Sequence, residues 1–426
     1  MAHAATATVA SSRLSIETLR GALLWLMGFA GAFVFIEPSP YEIVGALAIV
    51  IFALTGLKLR APLVPLILLL LLLNLGYATA MLQVVDQSKV VTWVLVSAYL
   101  AITAVVYAAM LGTNTQARLS WLMRGCLAAG LIASLVAIAA YFRLFGGLSD
   151  LFLLYGRARG TFNDPNVLGA FLVLPALIAF QRILTGRLSS AFNAAILLIV
   201  MLAALFLSFS RAAWGQFAFA AALLMAISFA TSRAPQERLR IALIAILGTL
   251  VALLLVAALL SIGQVADLFK ERATLDQNYD LGHLGRFGRY VLGFDLMLDR
   301  PLGLGPLQFS KSYFSEDPHN TFLNTFMSGG WLGGLAYLGL TLVTAVRGLR
   351  FVFVRTPWQP TYHAVYAAYL GVVGESAIVD IDHWRHYFLI LGVLWGLMAV
   401  TRGYGNVPLS ERGLAQQNYR LDSSKA

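Results

Sequence analysis

The chain has 426 residues, of which 59% are hydrophobic and 12% are charged, and its mean hydropathy is +0.79. This composition excludes a soluble globular protein and predicts a polytopic membrane protein. The formal net charge is +10. Because the basic residues are concentrated in short loops and tails, the charge favours contact with anionic membrane lipids and gives no reason to expect nucleic acid as a partner. The single cysteine, Cys126, excludes a disulfide framework and a cysteine metal cluster.

Twelve apolar segments are long enough to cross a bilayer as helices, which needs about 20 residues each. We therefore predict an all-α fold, a bundle of about twelve transmembrane helices. Residues 21–402 form the predicted transmembrane domain, between cytoplasmic tails at 1–20, disordered over the first 15 residues, and at 403–426. The predicted helices are centred near Gly28, Ile49, Leu71, Leu100, Ile132, Val173, Leu198, Ala222, Val251, Leu335, Leu370 and Leu394.

The charges of the loops predict which side of the membrane each loop faces. Lysines and arginines fall in alternate short loops and in the tails, whereas sixteen of the twenty acidic residues fall in the opposite set. By the positive-inside rule, the basic loops and both termini face the cytoplasm. The longest polar interval, residues 263–320, then lies on the outer side, and its length favours a functional loop. Within it, Gly285 opens a short amphipathic helix that ends before Pro301.

Among the arginines on the outer side, where the topology does not call for positive charge, five are candidate site residues. Each has a structural alternative, since an arginine can reach lipid headgroups or simply solvate a helix face. Together they favour binding of a phosphorylated lipid, because guanidinium N–H groups match phosphate oxygens in pairs. Asn166 supports Arg157 and Arg159 or, like Asp164, caps the helix that follows. The five are Arg157 and Arg159 before the sixth predicted helix, Arg211 in a tight turn, and Arg286 and Arg289 in the long loop.

His319 lies at the start of the tenth predicted helix, shortly after Glu316 and Asp317, with Pro318 at the predicted helix entry. The helix dipole disfavours an imidazolium ion, whereas the two carboxylates favour it and can hold one tautomer. Such a ring can act as a general base supported by Asn320, and the alternative is a histidine that only caps the helix. Together with the arginines, which would stabilise a phosphate leaving group, His319 predicts glycosyl transfer from a lipid diphosphate-linked sugar.

The last outer loop contains Asp380, Asp382, His383, Trp384 and His386. Two aspartates and two histidines could ligate a metal ion, but their spacing fits no established template. We expect instead that Asp380 and Asp382 bind sugar hydroxyls of the acceptor and that Trp384 offers a stacking surface. We predict neither a metal nor another cofactor.

The second half of the chain resembles the O-antigen ligase and O-antigen polymerase-like membrane proteins. The resemblance rests on Gly160-Thr161-Phe162 with Pro165-Asn166, on Ser210-Arg211, Gly285-Arg286 and Pro301 to Gly305, and on His319-Asn320 followed by Gly329 to Gly333. It implies a glycosyltransferase, with no required metal, that uses undecaprenyl diphosphate-linked glycans on the periplasmic side of the bacterial inner membrane. It also implies that Arg211 and Arg286 contact the diphosphate and that His319 activates the acceptor. Whether Arg286 or Arg289 has the diphosphate role is open.

The acceptor is also open at this point. Transfer to lipid A core would make the protein an O-antigen ligase, which we prefer, and transfer to another lipid-linked repeat would make it a polymerase. A transporter or flippase of lipid-linked sugars is the alternative from another class. Transporters tend to have internal repeats and ionisable groups near the bilayer midplane, whereas this sequence shows no repeat and its predicted helices are almost free of charge. These features favour an enzyme, and they predict no particular oligomeric state.

Overall fold

The computed structural model describes residues 2–35, 38–273, 285–314 and 316–405, without the side chains of residues 2–15, 273, 286, 287 and 405. These residues form a bundle of helices with one short hairpin and two 3-10 helices, Ala61–Leu63 and Gly146–Phe152. The hairpin pairs β1 (Leu153–Leu154) with β2 (Arg157–Ala158) in antiparallel fashion. The helices are α1 (Ala2–Ala30), α2 (Pro40–Thr55), α3 (Val64–Met81), α4 (Ser88–Met110), α5 (Thr115–Tyr141), α6 (Pro165–Thr185), α7 (Leu188–Leu207), α8 (Arg211–Thr231), α9 (Pro235–Leu260), α10 (Gly263–Ala273), α11 (Arg286–Asp299), α12 (Gln308–Ser312), α13 (Thr321–Val352), α14 (Gln359–Glu375) and α15 (Arg385–Gly405).

The helices confirm the predicted all-α class. Among the described residues, nine helices are long and apolar enough to cross a membrane, namely α3 to α9, α13 and α15. The other three predicted centres fall in α1, in α2 with 16 residues and in α14 with 17 residues. Each of the twelve predicted centres therefore lies in a helix, because an apolar segment of that length leaves the backbone few other ways to satisfy its hydrogen bonds in lipid.

Two local features of the structure differ from the sequence analysis. Helix α1 begins at Ala2, so the N-terminal segment that we expected to be disordered continues the first apolar helix, in line with the high helix propensity of its alanines. The β1–β2 hairpin was not predicted, because strands of two residues are too short to show an alternating pattern. The predicted C-terminal tail lies outside the described residues from residue 406 onward.

The ends of the helices gather at two opposite ends of the bundle. We call one end the site end; it holds the N-termini of α6, α8 and α13. There, Arg157 Nε donates to the carbonyl oxygen of Ser208 at 2.8 Å. We call the opposite end the basic end; it holds the C-termini of α6 and α8. There, Arg240 Nη2 donates to the carbonyl oxygen of Gly186 at 2.6 Å. These contacts join loops that alternate along the chain, as the loop charges predicted.

Helix α13 is broken at Gly330, where φ is 63° and ψ is −168°. The loop that follows α11 supplies hydrogen bonds at this break. The N–H of Leu304 donates to the carbonyl oxygen of Met327 at 2.7 Å, and the N–H of Trp331 donates to that of Pro301 at 2.9 Å. Because these bonds satisfy backbone groups that the break leaves without helical partners, they fix the first part of α13 to the long loop.

Candidate active site

His319 lies two residues before the first residue of α13, in the left-handed region with φ of 52°. Asn320 is the N-cap, and its side-chain oxygen accepts the N–H of Leu323 at 3.2 Å. The helix therefore starts at Thr321, later than the entry that we predicted at Pro318. A positive φ is uncommon for a residue other than glycine, although histidine tolerates it better than most, and such residues are frequent at functional sites.

Carboxylates lie on both sides of the His319 ring. Nδ1 is 3.5 Å from Asp380 Oδ2, and Nε2 is 3.6 Å from Glu316 Oε2. The hydroxyl of Tyr290 lies 3.2 Å from the carbonyl oxygen of His319 and 3.1 Å from that of Ala377, so α11 holds the two loops together. Tyr290 was not singled out from the sequence, where nothing distinguishes it from its neighbours on an amphipathic helix.

The second carboxylate that we expected near His319, Asp317, has a different contact. Its Oδ1 accepts the N–H of Ser310 at 3.2 Å. Burial and the nearby charge of Asp380 raise the pKa of Asp317. Burial likewise raises the pKa of Asp380; the contact with His319 opposes this rise, and the charge of Asp382 adds to it. Several carboxyl groups thus lie close together beside His319.

Arg289 holds Glu316 in place. Its Nη1 donates to Glu316 Oε2 at 3.0 Å and to the carbonyl oxygen of Asp317 at 3.3 Å. The guanidinium carbon lies 5.9 Å from the centre of the Phe314 ring, and the residue is 6% exposed. Arg289 therefore orients the acidic loop before His319. Arg286 is the first residue of α11, and its side chain lies outside the described part of the chain.

Arg157 belongs to a second group at the site end. It follows the turn of the β1–β2 hairpin, where Tyr155 and Gly156 have φ of 51° and 72°, as a two-residue type I′ turn requires. The guanidinium donates from Nε to the carbonyl oxygen of Ser208 and from Nη2 to Asn166 Oδ1, both at 2.8 Å. Burial lowers the pKa of Arg157 to about 10, so the side chain remains charged at neutral pH.

Arg159 and Asp164 brace the loop in which they lie. Arg159 donates to the carbonyl oxygens of Asn163 at 3.3 Å and Leu151 at 3.0 Å. Asp164 is the N-cap of α6, and its Oδ1 accepts the N–H of Asn166 at 2.6 Å. Of the two capping residues that we considered, the structure uses Asp164, which leaves the Asn166 side chain to Arg157.

Arg211 is the first residue of α8, directly after the tight turn that the sequence predicted. Ser210 caps the helix by accepting the N–H of Ala213 at 3.3 Å, and Phe209 has a positive φ of 47°. A guanidinium at a helix N-terminus adds its charge to the positive end of the helix dipole and to free backbone N–H groups. This end of α8 therefore attracts anions.

The long loop covers both groups. In α10, the ring of Phe269 packs 5.8 Å from Phe206 and 5.9 Å from Trp214, which places α10 on the α7–α8 turn. Farther along the loop, α11 contributes Arg289 and Tyr290 to the surroundings of His319. The residues that join α10 to α11 lie outside the described ranges. The His319 group and the arginine group thus lie at the same end of the bundle, beneath parts of one loop.

The remaining predicted residues lie in the loop before α15. His383 Nδ1 is 3.4 Å from Asp382 Oδ2, and His383 Nε2 is 3.2 Å from the carbonyl oxygen of Trp93. Trp384 is partly buried, with its ring 5.1 Å from that of His386. Over the ranges that the structure describes, no three histidine, cysteine, aspartate or glutamate residues are arranged to hold a metal ion. Acceptor binding by Asp382 and Trp384 stays a prediction.

Residues 196–338 match a family model described as O-antigen ligase. The match confirms the predicted resemblance over the segment that contains Arg211, Arg286, Arg289 and His319. Arg157 and Asp380 lie outside it, and their link to the site rests on the contacts described above. No curated protein matches the chain.

Proposed function

We propose that the chain is a membrane glycosyltransferase of the O-antigen ligase type, as the match of residues 196–338 to that family model supports. It moves an undecaprenyl diphosphate-linked glycan onto a hydroxyl group of lipid A core. The observation that carries the proposal is the His319 ring between Asp380 and Glu316, at the same end of the bundle as Arg157 and Arg211. In this proposal the site end faces the periplasm, and both termini face the cytoplasm.

His319 acts as the general base. With a proton on Nδ1 directed at Asp380, Nε2 carries the lone pair and takes the proton from the acceptor hydroxyl. The resulting imidazolium lies between Asp380 and Glu316, at 3.5 and 3.6 Å, and both carboxylates stabilise it. Asp380 is thus a positioning residue for His319, a role that differs from the acceptor binding suggested by the sequence.

The arginines stabilise the leaving group. As the acceptor oxygen attacks the anomeric carbon, the bond from that carbon to phosphate breaks, and undecaprenyl diphosphate leaves with the electron pair. Arg211 at the N-terminus of α8 and Arg286 at the start of α11 would bind its oxygens. A single displacement of this kind inverts the anomeric configuration, and it needs no metal because the guanidinium groups supply the positive charge. Arg289 and Arg157 hold the surrounding loops, as their contacts with Glu316 and Ser208 support.

Mass analysis of surface glycan from a deletion strain tests the proposal. Core without any attached glycan is the result expected for loss of a ligase. Core that carries a single repeat would indicate a polymerase, and lipid-linked glycan retained on the cytoplasmic side would indicate a flippase. Transfer by purified protein from lipid-linked donor to core acceptor, without added metal, would establish the enzymatic step directly.

A further inference from the structure

A polar cavity of about 680 Å³ lies at the basic end of the bundle. The ends of α5, α6, α8, α9 and α14 surround it. Because α6 and α8 have 21 residues each and run from the site end to this cavity, about 30 Å separates it from the His319 group. The cavity is therefore no part of the candidate active site. Its polar lining includes Gln116, Gln181, Thr231, Arg240, Arg355 and His363.

The lining carries a positive charge that faces the cavity. It contains two arginines and one carboxylate, Glu237. Arg240 is anchored to the end of α6, where Nη2 donates to the carbonyl oxygens of Ile183 at 2.8 Å and Gly186 at 2.6 Å. Arg355 is exposed and makes no hydrogen bond or ion pair with the residues that the structure describes. The guanidinium of Arg355 is thus available to an anion that enters the cavity.

One further lining group points to a ligand with hydrogen-bond donors. The side-chain oxygen of Gln116 is buried and has no hydrogen-bond partner within the described ranges. A buried acceptor without a partner costs about 1–3 kcal/mol, so a rotation of the Gln116 side chain that brings this oxygen to a ligand hydroxyl in the cavity would be favoured. Phosphate oxygens of a ligand would pair with the Arg355 guanidinium, and a ligand hydroxyl would donate to the Gln116 side-chain oxygen.

The cavity lies next to the exposed apolar segment of α9. Ile241 lines the cavity, and Gly248, seven residues later, lies on the same face of α9. A Cβ atom at Gly248 would meet no atom within 4 Å. Only 6% of the apolar segment of α9 is buried in the protein. The apolar segment of α9 therefore faces the surroundings of the bundle next to the polar cavity, where acyl chains would be accommodated.

We propose that this cavity binds the headgroup of an anionic glycerophospholipid whose acyl chains lie along α9. The phosphodiester pairs with Arg355, a headgroup hydroxyl reaches Gln116, and the apolar chains cover α9. Basic pockets between membrane helices on the cytoplasmic side are suited to such headgroups. Free phosphate shares the charge but would leave the space beside α9 unused. The proposal does not depend on the transferase activity.

Native mass spectrometry of the full-length protein in detergent tests this site. We expect one retained molecule of dioleoylphosphatidylglycerol per chain and at least tenfold weaker retention of dioleoylphosphatidylcholine. Arg355→Ala should reduce retention of the anionic lipid at least tenfold. Arg350→Ala is the matched control, because Arg350 is exposed in the last turn of α13 and is not part of the lining.

Equal retention of the two lipids, or equal effects of Arg355→Ala and Arg350→Ala, would overturn the proposal. Thr231→Phe provides a second variant, since a larger side chain in the lining should displace the lipid without removing charge. Displacement of the lipid by millimolar inorganic phosphate would identify a free phosphate as the ligand and would also overturn the lipid assignment. Retention that survives phosphate and responds to both Arg355→Ala and Thr231→Phe supports it.

Discussion

At His319, a helix cap and a general base make different demands on the side chain. The structure assigns the capping hydrogen bond to Asn320, so His319 is not needed for that role. Glutamine can form hydrogen bonds but does not titrate near neutral pH. We expect His319→Gln to retain donor binding and thermal stability while glycan transfer falls about a hundredfold or more. Normal transfer by the purified variant would remove His319 from the mechanism, and Glu316 and Asp317 would be the next candidates.

Asp380 should control the pH dependence of transfer through His319. The pKa of Asp380 is raised, so this carboxylate is lost at a higher pH than an ordinary aspartate as the solution becomes acidic. In Asp380→Asn only Glu316 remains to stabilise the imidazolium, and His319 should then lose its proton more easily. We expect a lower maximal rate, an unchanged KM for the donor, and an acid limb of the rate profile that moves to lower pH.

Asp150→Asn is the control for that measurement, because Asp150 lies at the same end of the bundle and pairs with the exposed Arg143. Its pH profile should match that of the wild type. An acid limb that stays in place in Asp380→Asn would show that the contact at 3.5 Å does not act on the base.

Glycan transfer should depend on the shape of the charged group at Arg211 as well as on its charge. Lysine keeps the charge but loses the planar pair of N–H donors that match phosphate oxygens. We expect Arg211→Lys to impair transfer almost as severely as Arg211→Ala, while Arg143→Lys, at an exposed ion pair at the same end, leaves transfer unchanged. Full activity in Arg211→Lys would reduce the role of this residue to diffuse electrostatic attraction.

At the scale of elements, the break in α13 joins the long loop to the His319 segment. A Cβ atom at Gly330 would lie 2.5 Å from the carbonyl oxygen of Pro301, and the backbone there has a positive φ. Gly330→Ala should therefore destabilise the protein by about 1–3 kcal/mol, measured by thermal unfolding in detergent. In Gly339→Ala, within the same helix, the added Cβ atom would meet a methyl group of Leu69 at 3.3 Å and should have little effect. Equal stability of the two variants would contradict this account of the break.

The helices could be predicted from the sequence, whereas the pairing of site residues could not. Each apolar segment has few alternatives to a helix in lipid, so the centres from Gly28 to Leu394 all fall in helices. The contact between His319 and Asp380 joins two loops that meet only when α13 and α14 pack, and no local pattern encodes it. For the same reason, the sequence placed Asp317 beside His319, although its carboxylate instead accepts the N–H of Ser310.

At the scale of the whole molecule, the two ends of the bundle differ in charge and in chemistry. Acidic loops, His319 and the phosphate-binding candidates lie at the site end, whereas the basic loops surround a separate polar cavity at the other. An enzyme that uses lipid-linked sugars can reach only the donor headgroups at the membrane surface that its active site faces. The direction of the bundle in the membrane therefore decides which pool of donor it can reach.

Cysteine labelling determines that direction. Lys58 and Asp150 are exposed in loops at opposite ends of the bundle. The positive-inside rule predicts that Asp150→Cys reacts with a membrane-impermeant maleimide on intact spheroplasts, whereas Lys58→Cys reacts only after permeabilisation. Wild-type protein is the control, because its single cysteine, Cys126, is buried. The reverse pattern would place His319 at the cytoplasmic surface, where a periplasmic acceptor such as lipid A core could not reach it, and the proposed reaction would then fail even if every residue-level prediction held.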